Sequence, residues 1–140
     1  MFHWVELRAF VHATEDEEKV VAAMRTLAPE GEVEREPLAG QWGNPIVALA
    51  IRVDRTANAK EIWRRLTEAL GKAEVLRELG DRLDEDGVYH LRIDKQAAFG
   101  GKIERPSGEG DVIDVRAKVA AYPKKRDIAL GILRADLETA

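Results

Sequence analysis

The chain has 140 residues, 45% of them hydrophobic and 34% charged, enough apolar material for one compact domain with its own core and too much for a disordered segment. The net charge is −4, and the absence of cysteine excludes disulfides, thiolate metal sites and thiol chemistry. The longest apolar run, Ile46–Ile51, is far too short to cross a bilayer, and no signal-peptide pattern opens the chain, so the expectation is a cytoplasmic protein without a membrane partner.

The first periodic stretch is Trp4–Ala13. Val5, Leu7, Ala9, Val11 and Ala13 alternate with Trp4, Glu6, Arg8, Phe10 and His12, which predicts a half-buried strand. Thr14 followed by Glu17 has the spacing of a capping box, so a helix is expected to about Ala28 with Val20, Met24 and Leu27 inward. Pro29 and Gly31 stop it. Glu32–Glu36 reads as a short strand with Val33 inward. Pro37–Val47, with two glycines, an Asn-Pro step and Trp42, reads as a structured loop. Trp42 beside Gln41 and Asn44 suits stacking on an unpaired base; it equally suits a lid on the core.

Ile46–Val53 is a further strand. A helix over Ala57–Leu70, capped by Asp54 or Thr56, presents Ile62, Trp63, Leu66 and Leu70. Gly71 separates it from a second helix over Ala73–Leu83. A turn ending at Gly87 leads into a strand in which Tyr89, Leu91 and Ile93 alternate with His90, Arg92 and Asp94. Asp94 then either caps a single helical turn over 95–99 or joins Lys95 and Gln96 in a binding site past the strand end. Lys102–Asp111 is expected as a hairpin or exposed loop, and Val112–Ala121 as a strand. Lys124, Lys125 and Arg126 open a last helix with Ile128, Ile132 and Leu133 inward. Three cations there oppose the helix dipole, a broken local rule of the kind that accompanies function.

Val5–Ala13 and Ile113–Ala121 align without gaps, with Arg8 on Arg116 and Val11 on Val119, which suggests two similar strand-helix units framing a common sheet. If the strands share one sheet with helices on its apolar face, the other face collects Arg8, Phe10, His12, Arg52, His90, Arg92, Arg116 and Lys118. Its acids are Glu6, Asp94 and Asp114. Such a mostly basic face with one aromatic can meet phosphates and stack on bases; it can also be an ordinary solvated antiparallel face. The acidic net charge does not exclude this, because Gly87–Arg126 holds nine Lys or Arg against five Asp or Glu. No catalytic constellation is visible: Ser107, the only serine, sits in a Gly/Pro loop, and His3, His12 and His90 lack metal-ligand spacing. No cofactor, metal or enzymatic activity is expected.

Four stretches together carry a resemblance: LRAFVHATEDEEKV (Leu7–Val20), GQWGNPI (Gly40–Ile46), LRIDKQAAF (Leu91–Phe99) and VRAKVAAYPKKR (Val115–Arg126). Their order and spacing resemble small archaeal RNA-binding proteins described as predicted exosome subunits. That resemblance implies a fold similar to the ribosomal protein that contacts 5S RNA, an α+β antiparallel sheet with helices packed on one face. It agrees with the order β-α-(β)-β-α-α-β-(β)-β-α read above, in one domain over residues 1–140. It also implies RNA as partner and, beyond RNA, proteins of the RNA-degradation machinery. The expected contacts are Arg8, Arg92, Arg116 and Lys118 to phosphate, Phe10 or Trp42 stacking, and Asn44, Lys95, Gln96, Lys124 and Lys125 extending the surface. The rival expectation is a protein-interaction module, acting as a homodimer or docking a partner through its acidic helix or a free sheet edge.

Overall fold

Alternation in five segments builds one antiparallel sheet. In the computed structural model, which describes residues 1–39, 43, 45–108 and 111–139, the strands are β1 (Phe2–Val11), β2 (Val33–Ala39), β3 (Pro45–Val53), β4 (Val88–Asp94) and β5 (Val112–Val119), in the spatial order β2-β3-β1-β5-β4. The helices are α1 (Glu17–Arg25), α2 (Thr56–Leu70), α3 (Lys72–Arg82), α4 (Lys95–Phe99) and α5 (Arg126–Glu138). The order matches the expected one, with α4 following β4 and irregular backbone, not a second strand, over 102–108.

The inward positions are those the period of two assigns. Leu7, Ile51, Ile93 and Ile113 are wholly buried, and with Val20, Met24, Leu66, Leu79 and Leu133 they form one core beneath the helices. Each such side chain contributes about 1.5–3 kcal/mol by leaving water. Trp63 on α2 anchors the centre: it meets the Tyr89 ring edge-on at 5.1 Å, and its Nε1 donates to Asp136 of α5 at 2.8 Å. Gly71, the only residue between α2 and α3, has φ of 91°, a conformation that side chains other than glycine's rarely adopt.

The two similar strands lie side by side. β1 pairs antiparallel with β5 so that Leu7 faces Val115, its own counterpart in the alignment. The helices keep the correspondence less well. Val20 is buried, but Ile128 is 39% exposed, and α5 turns Ala129, Leu133 and Leu137 inward. Arg126 fixes that rotation by donating to Gly80 O and Leu83 O, so the residue after next points away from the core.

Several boundaries differ from expectation. α1 is capped by Asp16, whose carboxylate accepts from Glu18 N at 3.0 Å, not by Thr14. The chain first makes a tight turn at 12–15, where Glu15 N donates to His12 O and the Glu15 side chain accepts from His12 N. α2 starts after Arg55 with no side-chain cap, so neither Asp54 nor Thr56 serves. β2 and β3 extend into the expected Pro37–Val47 loop and pair from Val33↔Ile51 to Ala39↔Pro45. Gly40, Gln41, Trp42 and Asn44 lie outside the described residues.

Candidate nucleic-acid interface

The face of the sheet opposite the helices is a lattice set by register. One row runs Arg52, Glu6, Arg116, His90; the next runs Glu34, Ala50, Arg8, Asp114, Arg92. Lys118 lies opposite Trp4, and Phe10 opposite Ala48 and, one strand on, Glu36. All strands share one sheet, as the reading of the face required.

The face is mixed in charge, not mostly basic. Arg8, Arg52, Arg92, Arg116 and Lys118 stand against Glu6, Glu34, Glu36, Asp94 and Asp114, because β2 adds two carboxylates. The cations are more unevenly placed than the acids, since Glu6, Asp94 and Asp114 share β1, β4 and β5 with them. Glu34 and Glu36 occupy the β2 edge, where a large open depression is lined by Glu6, Glu30, Glu32 and Glu34 with Arg52 and Arg55. Four of the five cations stand on β1, β5 and β4. A cleft of about 450 Å³ on that side is lined by Arg8, Arg82, His90, Leu91, Arg92, Asp114, Val115 and Arg116.

The cations differ in how far they are already engaged. Arg92 Nε lies 3.1 Å from Asp114 Oδ1, Lys118 donates to the Asp86 carbonyl, and the Arg52 guanidinium stacks 4.6 Å from the Trp4 ring centre. Arg8 and Arg116 have no ion-pair partner among the described residues. The Nε of Arg116 is buried without a hydrogen-bond acceptor among the described residues. His90 Nε2 meets Asp84 Oδ2 at 2.8 Å. Partial burial works to raise the Asp84 carboxyl, but the His90 bond and the Val88 and Asp86 amides outweigh it and hold the group below its ordinary value.

The remaining expected contacts fall in different places. Phe10 is 49% exposed on the open face, free to stack. Lys124 and Lys125 are exposed in the turn before α5, past the end of β5. Asp94 caps α4 by accepting from Ala97 N at 2.9 Å, and Gln96 stands exposed in that turn. Trp42 and Asn44 lie outside the described residues.

Lys95 does not extend the basic surface. It is 1% exposed, and its Nζ donates to Phe10 O at 2.6 Å and to Glu15 Oε1 at 2.8 Å. It follows Ile93 in the buried parity of β4, and that was the signal available in the sequence. His12, Glu15 and Asp111 bring one possible metal ligand each within 4.8 Å of one another, but the Lys95 ammonium already supplies a positive charge there, 3.9 Å from Asp111 Oδ2. Arg82, in contrast, belongs to the cleft although nothing in its helical context marked it.

An open antiparallel sheet with helices on one side and arginines on the other is an architecture that meets phosphate and base from a flat surface. The chain belongs to the family described as RNA binding, whose model matches residues 4–119. It is 36% identical to the RNA-binding protein PAB1135 of Pyrococcus abyssi, over 97% of this chain and 94% of that one. Among solved structures it is similar to Mth689, a DUF54 protein of Methanothermobacter thermautotrophicus, with 42% identity, TM-score 0.84 and 99% of each chain covered. It is also similar to AF2318 of Archaeoglobus fulgidus, with 40% identity, TM-score 0.83, and 98% and 99% of the two chains covered. No helix among the described residues is long and apolar enough to cross a membrane.

Proposed function

We propose that the chain binds RNA through the part of the open face carried by β1, β5 and β4, without catalysing a reaction on it. Arg8, Arg92, Arg116 and Lys118 contact phosphate, Phe10 stacks on a base, and Lys124 and Lys125 lengthen the track. The observation that carries this reading is Arg116: a guanidinium with a buried, unanswered Nε, beside the unpaired Arg8 in one cleft. A donor removed from water without an acceptor is destabilising, and a bound phosphate oxygen would satisfy it. The RNA-binding family and the name of the Pyrococcus relative support the same partner. The resemblance to predicted exosome subunits adds a role as an accessory to RNA processing or degradation in the cytoplasm.

The test is a titration of labelled single-stranded RNA at several salt concentrations. Affinity falls steeply with salt, and Arg8→Gln or Arg116→Gln each flattens the log-log slope by about 0.7. An affinity independent of salt, or a slope unmoved by both substitutions, overturns the assignment of this face.

A further inference from the structure

Resting on the RNA-binding reading, we infer that the cleft lined by Arg8, Arg82, Arg92 and Arg116 is a subsite for a terminal phosphate of the RNA, a phosphomonoester, and not only for the phosphodiesters along the chain. Four guanidinium groups line one cleft of about 450 Å³, within the range of roughly 300–1,000 Å³ typical of small-ligand sites. Asp114 is the one carboxylate in its wall among the described residues, and it is already bonded to Arg92. That leaves Arg8, Arg82 and Arg116 without full compensation. Arg82 reaches the cleft from the end of α3; its nearest acid is Glu78, 3.6 Å away, and the same Glu78 oxygen lies 2.7 Å from Arg105. His90, also in the wall, is held by Asp84.

This is more positive charge in one place than a diester requires. An internal phosphate carries one negative charge, has a ribose on each side and needs only a groove past which the chain runs. A terminal phosphate carries close to two charges at neutral pH, has three free oxygens, and enters a cleft end-on. Planar guanidinium forks meet those oxygens in pairs. The buried sheet residues Leu91 and Val115 also line the cleft, and Arg116 brings to it a guanidinium whose Nε is buried without an acceptor among the described residues.

The experiment compares one short RNA sequence in three forms: 5′-phosphorylated, 3′-phosphorylated, and hydroxyl at both ends. Each is titrated against the intact protein and against Arg116→Gln and Arg82→Gln. One phosphorylated form binds about tenfold tighter than the hydroxyl form, and both substitutions remove that preference. Arg82 is on the rim of the fold, so its variant keeps the test open if Arg116→Gln is poorly folded. Equal affinity for all three forms overturns the terminal-phosphate subsite and leaves RNA binding standing. A preference that survives both substitutions overturns the assignment to this cleft. Failure to bind any form overturns the subsite and the RNA reading together.

Discussion

Lys95 shows how one residue can mislead and still be explicable. It sits between Asp94 and Gln96, and in sequence the three read as a polar surface. The period of two, carried one step beyond Ile93, turns Lys95 inward, and this was legible. Its partners were not: Glu15 is 80 positions away, and the Phe10 carbonyl is exposed to Lys95 only because β1 ends beside α4. The buried ammonium thus ties the end of β1, the turn into α1 and the start of α4 to one point. Lys95→Met leaves the Glu15 carboxylate without its cation and the Phe10 carbonyl without the Lys95 donor, and stability falls by about 2–3 kcal/mol. Adding Glu15→Gln recovers part of the loss. Urea unfolding of the single and double variants checks this, and RNA affinity of the folded Lys95→Met protein stays at the parent's value. A drop in affinity with stability intact would make Lys95 a contact after all.

At the scale of elements, alternation specified β1, β3, β4 and β5 well because each has one wet and one dry face. Helix rotation was harder. α5 has apolar side chains at Ile128, Ala129, Ile132 and Leu133, so two neighbouring stripes compete and the sequence alone does not choose between them. The choice is made by Arg126, which bonds the carbonyls of Gly80 and Leu83 at the end of α3. This also accounts for part of the broken rule at the helix start. Of the three cations that oppose the α5 dipole, Arg126 faces the negative end of another helix, a favourable place for a cation. Lys124 and Lys125 have no such role among the described residues and remain exposed. Arg126→Gln therefore costs about 1 kcal/mol and lowers the melting temperature by about 2–4 °C, measured by circular dichroism. Lys124→Gln and Lys125→Gln leave melting unchanged or slightly raised, and weaken RNA binding instead. Destabilisation by the lysine substitutions equal to that of Arg126→Gln would place all three in the fold and none in the interface.

At the scale of the molecule, the sequence reading located the open face and most of its cations but misjudged its balance. The reason is β2. A short edge strand with Val33 as its one inward anchor gives a weak signal, and Glu34 and Glu36 join the face only once the order β2-β3-β1-β5-β4 is known. The result is a face with two of its five acids on the β2 edge and four of its five cations on β1, β5 and β4, on a chain of net charge −4. β2 and β5 are separated by β3 and β1, three strand spacings or about 14 Å. Over that distance in water each acid opposes a bound phosphate by about 0.3 kcal/mol. The Debye length is about 30 Å at 0.01 M salt and about 8 Å at 0.15 M, so the repulsion persists in the first and is screened in the second. Glu34→Gln/Glu36→Gln therefore strengthens RNA binding about twofold at 0.01 M salt and has no measurable effect at 0.15 M. The same gain at both concentrations would mean that RNA touches β2 directly and that the interface crosses the whole sheet. A loss of affinity would mean that these carboxylates orient the neighbouring cations instead of opposing the ligand.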